Sequence, residues 1–342
     1  MPLTTRDAEF TATITFYYGV ELGRAPDPGG LASWLGQLRN GMTGPQLQQA
    51  LHDSPEGVAF RARPPVLPPA PLQLAVRGAD FVHADGSRRV LCGTDQFTAF
   101  RLFLDGVDLT PLLMESQALG FDGWRVFLMG SARQNGILQL SPSDSGYADA
   151  LRMFADVVNA AGIVLLATVF VDAQDIMPAV GQRIDHWHRV ADRLRGTQTL
   201  LSGGNEWSKN GFNPGELTDP GLLWSRGSDV GDAAPYRPYG SFAEFHPRRD
   251  LPAALMDTVA SPVFLRGKNS LTGPLLIDEP PRMGLDGSAP EYADPFVCWK
   301  FARHYATECS GAIFHARPGQ RGQLMDPVTR ACAEAWVRGM RI

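Results

Sequence analysis

Leu200-Leu201-Ser202-Gly203-Gly204-Asn205-Glu206-Trp207 is a short apolar run that ends abruptly in a carboxylate, with an amide before it and an indole after it. A buried strand reads this way where it leaves the core of an α/β barrel, at the face where that architecture carries its reactive side chains. Pro274-Leu275-Leu276-Ile277-Asp278-Glu279 is a second run of the same kind, stopped by Pro280 and Pro281. If both runs are strands of one barrel, Glu206 and Glu279 rise from different strands onto one face.

Outward from these two runs, apolar stretches alternate with stretches of helical spacing, the pattern of parallel β/α units. Eight candidate strands can be counted: Arg89 to Asp95, Trp124 to Gly130, Ile163 to Asp172, Thr199 to Glu206, Leu222 to Ser228, Ser241 to Pro247, Pro274 to Glu279 and Gly311 to Ala316. Helical stretches at 107–119, 144–160, 176–195, 251–259, 291–308 and 327–341 fill most of the gaps, and Lys209 to Tyr239 is loop-rich in Gly, Pro and Asp. Eight strands in about 270 residues fit an α/β (β/α)8 TIM barrel over residues 73–342. A hairpin precedes it, with its turn at Asp85-Gly86.

The N-terminal part of the chain, residues 1–60, reads differently. Phe10, Ile14, Tyr17 and Tyr18 fall at helical spacing before Gly23. Asp27-Pro28 gives a cap followed by proline at the first helical position, and Leu31, Trp34, Leu35 and Leu38 share one face. Thr43 and Gln46 have capping-box spacing ahead of Leu47, Ala50 and Leu51. The expectation is a small all-α module of three helices over residues 1–60. Residues 61–72 contain five prolines, which favour extended geometry and cannot continue a helix, so the domain boundary is expected there.

Of the 342 residues, 44% are hydrophobic and 20% charged, enough apolar surface for a sizeable core and too much for a disordered chain. The formal net charge of -5, with no run of Lys or Arg, argues against nucleic acid or an anionic membrane surface as partner. Cys92, Cys298, Cys309 and Cys332 are scattered and form no metal-ligand spacing, so free buried thiols are expected and neither metal nor cofactor is implied. His186-Trp187-His188 does not change that, because residues two apart on a helix diverge. The N-terminus lacks the apolar core of a signal peptide, and no apolar run is long enough to span a bilayer. The expectation is a protein that stays inside or leaves by a route needing no such signal; its localisation is otherwise unknown.

Two resemblances add to this. Leu22 to Trp34, with Leu38, Gly41 and Ser54-Pro55-Glu56-Gly57, resembles the helical module known as domain of unknown function 4214. That resemblance implies a module of exported, surface-layer and phage proteins, and a possible role in protein assembly. In the barrel segment, Phe81 to Gly86 leading to Val90-Leu91-Cys92-Gly93, then Trp124-Arg125-Val126, Asn205-Glu206, Phe245-His246-Pro247 and Ile277-Asp278-Glu279, resemble clan A glycoside hydrolases of the cellulase and mannanase type. The resemblance implies Glu206 as acid/base, Glu279 as nucleophile, Arg125 beside the nucleophile, and Asn205 and His246 on the sugar. Such enzymes show a His near the end of strand three and a Trp at the end of strand eight, whereas this chain has Val171-Asp172 and Phe314-His315.

Glycoside cleavage needs one carboxyl to protonate the leaving oxygen and another, ionised, to attack the anomeric carbon. Arg125 beside Glu279 would hold it ionised, while Glu206, next to an amide and an indole, could stay protonated longer. Asp278 competes with Glu279, because neighbours on a strand point to opposite faces. Trp207, Trp224, Phe314 and His315 could line sugar subsites, and each is as readily read as packing. The expected function is therefore a retaining β-glycosidase acting on an oligo- or polysaccharide. The alternative is a non-catalytic carbohydrate-binding or structural protein of a phage particle or surface layer, with a degraded barrel site.

Overall fold

The structure, a computed structural model, describes residues 5–22, 26–61, 74–131, 139–229, 237–247, 262–285 and 290–341. The chain divides into two compact units, Met1–Leu67 and Pro68–Ile342. In the first, helices Thr5–Leu22, Pro28–Arg39 and Gly44–His52 follow the three expected apolar stripes, and a fourth short helix, Pro55–Arg61, continues them. Their faces meet in a core of Ile14, Tyr18, Leu22, Leu38, Leu47 and Leu51. Asp27 caps the second helix by accepting from the Gly30 N–H, and Thr43 and Gln46 form the capping box. Trp34 is braced from within, its indole N–H donating to the Tyr18 hydroxyl at 3.0 Å. Arg24, the proline-rich connector beyond residue 61 and the stretch 251–259 lie outside the described residues.

In the second unit a three-stranded antiparallel sheet, β1 (Ala75–Arg77), β2 (Asp80–Val82) and β3 (Arg88–Arg89), precedes eight strands of a parallel sheet. These are β4 (Leu91–Asp95), β5 (Gly123–Phe127), β6 (Val164–Phe170), β7 (Thr199–Gly204), β8 (Trp224–Ser225), β9 (Ala243–Phe245), β10 (Leu275–Ile277) and β11 (Gly311–Phe314), each lying in one of the eight expected runs to within a residue. Their order, β8-β7-β6-β5-β4-β11-β10-β9, is that of a nearly closed (β/α)8 barrel. Across the remaining gap the approach to β9 leans on β8, with the Ser241 and Phe242 N–H groups donating to the Trp224 carbonyl at 2.7 and 3.3 Å.

Two-residue alternation sorts the side chains of each strand. Leu165, Ala167 and Val169 face helices on one side, and Leu275, Ile277, Ala312 and Phe314 face helices on the other. Inside the barrel, Leu91, Val164, Leu166, Leu200, Phe242, Leu276 and Ile313 form a dry layer. Phe81 of β2 joins that layer, its ring 5.5 Å from that of Phe242. Two residues beyond Leu166, Leu200, Phe242, Leu276 and Ile313, and beyond Gly93 and Gly123 on β4 and β5, the inward positions become polar: Asp95, Arg125, Thr168, Ser202, Glu244, Asp278 and His315, all buried. The apolar layer carries the closure of the barrel, and the polar layer carries the site.

All four cysteines are free and buried. His186 points into the core, where burial pushes it down to about 4, while His188 meets Thr218 near the surface. Trp224 packs on Trp187, and Phe314 on Phe121 and Trp336, so these two rings are wall packing and not subsite linings. Among the described residues no helix is long and apolar enough to cross a membrane.

Outside the site, Glu115 of helix Thr110–Leu119 is 8% exposed and accepts the Met325 N–H at 3.2 Å. Burial pushes it up to about 7, against the Met325 N–H and Arg330, which favour its charged form. The folded chain thus holds a proton that the unfolded chain releases near 4.5. The stability this contributes is fully present below the unfolded value and is lost as pH rises through the folded one. Urea denaturation should accordingly show Glu115→Gln gaining on the wild type as pH is raised from about 4.5 to about 7. A difference that does not change with pH overturns this account of Glu115.

Candidate active site

The polar layer is assembled around a guanidinium. Arg125, central in β5, has no exposed surface. Its Nη1 donates to Glu279 Oε1 at 2.6 Å, and its Nη2 donates to Asn205 Oδ1 at 2.9 Å and lies 2.9 Å from Asp278 Oδ2. A planar fork of donors suits this task, since one cation engages oxygens from two strand ends at once. Burial works to lower the pKa of Arg125, yet the charges of Asp278, Glu279 and Glu244 outweigh it and the net shift is upward.

Strand alternation would put Asp278 and Glu279 on opposite faces, yet both reach Arg125. Asp278 continues the inward alternation from Leu276, and Glu279 can turn in beside it because β10 has ended at Ile277. Asp278 is the deeper of the two, with no exposed surface, and it accepts from the Ser228 hydroxyl at 2.5 Å. Burial, with Glu244 and Glu279 nearby, raises it to about 8 despite Arg125. Glu244, from β9, is likewise raised by burial and accepts from Ser225. Glu279, beyond the strand end, is the acid of the Asp278–Glu279 pair that approaches His246, its Oε2 3.2 Å from the Nε2 of that ring.

The Glu206 end is built by a close approach of two backbones. A Cβ at Gly203 would lie 2.7 Å from the Arg226 carbonyl oxygen, and one at Gly227 would lie 2.0 Å from that of Gly204. The chain then turns sharply: Glu206 adopts a φ of 43°, a left-handed conformation costing roughly 1–3 kcal/mol for a residue with a side chain. It is held there by its carbonyl, which accepts the Lys209 and Asn210 N–H groups at 2.9 Å each. Trp207, half-buried, packs against the apolar wall, and its backbone N–H donates to the Ser228 carbonyl at 3.3 Å.

His246, after β9, stands between the two glutamates, its Nε2 3.6 Å from Glu206 Oε1 and 3.2 Å from Glu279 Oε2. His315, after β11, has Nδ1 3.1 Å from Asp95 Oδ2 and Nε2 3.9 Å from Glu279 Oε2. Arg125, Asn205, Glu206, His246, Glu279 and His315 are thus brought into one cluster, with Trp207 alongside. Three partners escaped the sequence reading. Lys209 Nζ lies 2.6 Å from Glu206 Oε2, so the neighbour of that carboxylate is a cation as well as an amide and an indole. Asp95 and Gln320, which flank His315, were the others. Asp95 did carry a signal, since it ends the first barrel run in a carboxylate just as Glu206 and Glu279 end theirs. Among the described residues no group of three or more His, Cys, Asp or Glu side chains is arranged to hold a metal ion.

No protein-family model and no curated protein matches the chain, so the likeness of residues 1–60 to domain of unknown function 4214 gains no support from them. Among solved structures, the barrel has the fold of family 5 glycoside hydrolases, a parallel eight-stranded barrel. It is similar to a family 5 glycoside hydrolase from Bacteroides vulgatus with a TM-score of 0.52 at 15% identity, over 71% of this chain and 62% of that one. A β-glucanase from Saccharophagus degradans in complex with cellotetraose matches with a TM-score of 0.55 at 12% identity, over 79% of this chain and 94% of that one. At such identities the likeness establishes the fold, and the chemistry has to be argued from the residues.

From the sequence alone, Arg125→Ala is expected to lower turnover far more than stability. The structure changes that expectation, because the variant would leave Asp278, Glu279 and Glu244 facing one another in a space without solvent. Removing one partner of a buried charge network costs about 3–5 kcal/mol. Chemical denaturation of Arg125→Ala should show a loss of that size alongside the loss of activity, and wild-type stability would refute this.

Proposed function

We propose that the protein is a retaining β-glycoside hydrolase acting on an oligo- or polysaccharide, with Glu279 as nucleophile and Glu206 as acid/base. The observation that supports it best is the seat of His246 between the two carboxylates, 3.6 Å from one and 3.2 Å from the other. Their nearest oxygens can be no further apart than the sum of those distances. That ceiling lies near the bottom of the ~6.5–9.5 Å range of inverting enzymes and accommodates the ~5 Å of retaining ones. A separation at the retaining end of that span would leave no room for an attacking water between them.

In this reading Arg125 keeps Glu279 ionised and aimed, as a nucleophilic carboxylate requires. Asn205, whose Oδ1 takes Arg125, offers its amide N–H groups to a sugar 2-hydroxyl. Lys209, 63% exposed, leaves Glu206 when a leaving-group oxygen arrives. His246 and Trp207 face the sugar, and His315 acts on it from behind Glu279. The carbohydrates bound in the β-glucanase and in a family 5 variant from Bifidobacterium longum in complex with Manβ1-4GlcNAc support a carbohydrate substrate. The alternative, a non-catalytic carbohydrate-binding or structural barrel, draws on the Lys209 contact that occupies Glu206. Proton NMR of hydrolysis should show the product anomer first formed with retained configuration. Glu206→Ala should still be glycosylated by substrates with good leaving groups and be rescued by azide, whereas inverted product, or no turnover of any chromogenic glycoside, sinks the mechanism.

Residues 1–60 are read as a separable module, a possible site of protein assembly. Limited proteolysis should cut between 61 and 72 and leave two fragments that unfold in separate transitions. Resistance there, with a single transition under all conditions, refutes the modular reading.

A further inference from the structure

We propose that Asp95 is a positioning residue that acts through His315 to hold the attacking oxygen of Glu279; the inference rests on the reading of Glu279 as nucleophile. A glutamate carboxylate tethered at one oxygen can still rotate. Arg125 engages Oε1, which leaves the orientation of the group to whatever meets Oε2. Two imidazoles do so. His246 approaches Oε2 at 3.2 Å but is shared with Glu206, whereas His315, at 3.9 Å, contacts no other catalytic carboxylate among the described residues.

His315 has no exposed surface, so it reaches the reaction through Glu279 and does not stack on a sugar. Its ring is enclosed by three neighbours. Nδ1 lies 3.1 Å from Asp95 Oδ2, Nε2 accepts from the Gln320 amide Nε2 at 3.1 Å, and the Phe97 ring sits 5.9 Å away, so the ring meets Glu279 Oε2 as a packed wall and not as a hydrogen-bond donor. The other oxygen of Asp95 accepts the Ala316 N–H at 3.1 Å, so one carboxylate lies against the ring and is bonded to the backbone that carries it. Asp95 closes β4 beside β11, where Thr94 pairs with Phe314, and this register is what brings the carboxylate to the ring. A reacting group must be held within about 0.5 Å of its productive geometry, which takes supporting partners that are themselves locked.

Asp95→Asn separates the two tasks of this carboxylate. The amide oxygen still accepts the Ala316 N–H, while its NH2 group faces Nδ1 in place of a carboxylate oxygen. The direct reading of the nucleophile's step is the rate of covalent trapping of the full chain by 2,4-dinitrophenyl 2-deoxy-2-fluoro-β-glycosides of glucose, mannose and their β-1,4 disaccharides. Intact and peptide mass spectrometry follow the label. We expect the wild type to be labelled on Glu279. Asp95→Asn should be trapped on the order of 10²-fold more slowly, because small misplacements of a reacting group cost about that much. Its thermal midpoint should stay near that of the wild type. His315→Gln, which keeps Asp95, should show the same slowing and decides the matter if Asp95→Asn does not fold. Trapping of either folded variant within about twofold of the wild type rate, with Glu279 labelled, overturns the positioning role and leaves the glycosidase reading intact. A wild type labelled on another residue, or hydrolysing glycosides without ever being labelled on Glu279, overturns the reading of Glu279 itself and the inference with it.

Discussion

The polar half of the barrel depends on one buried cation. A guanidinium cut off from water is costly unless oxygens replace its hydration, and Arg125 is met by Glu279, Asn205 and Asp278 within 2.9 Å. From the middle of β5 it gathers the ends of β7 and β10 into one network. The acids around it do not share its charge equally. Asp278 and Glu244 are wholly buried, and that burial shifts both upward against the pull of Arg125, whose Nη1 is left to meet Glu279 at the strand end. The electrostatics of the site follow from depth as much as from which residues are acidic.

That arrangement is possible because the barrel is layered. Seven inward positions that are apolar or glycine near the start of the strands are followed, two residues on, by polar ones. Phe81 of the preceding sheet joins the apolar layer. Dry packing at one end supplies the stability that lets the other end carry strain and buried charge, such as the left-handed Glu206. Asp95 fits this layering as well as any residue. It is an inward residue at the end of its strand, and its contacts with His315 and Ala316 tie the first strand of the barrel to the last.

Much of this was legible in the chain itself. The eight apolar runs, their alternation with helical spacing, and the abrupt endings at Glu206 and Glu279 are local features set by hydrophobic period and by glycine and proline. Each of the eight runs contains a strand, and the helical stripes within residues 1–60 meet in a core. Period alone also overreached. Alternation separates Asp278 from Glu279, but it holds only while a strand lasts, and β10 ends one residue earlier. For Trp224 and Phe314 the sequence left sugar subsite and wall packing open, because composition does not say which side of a strand faces the helices, and both rings pack in the walls.

What the sequence determined by itself was the set of elements and the residues that close them, since those depend on the spacing of apolar side chains along a few turns or strands. Only the tertiary structure decided which of those endings meet. Arg125 lies far along the chain from Asn205 and Glu279, and Asp95 further still from His315, and nothing local couples them. The order of strands around a closed sheet brings β4 against β11, and the inward turn of alternate residues aims their side chains at one another. Lys209 shows the same limit at short range. Three residues after Glu206 it could point anywhere, and the left-handed turn at Glu206 returns the chain so that its ammonium meets that carboxylate.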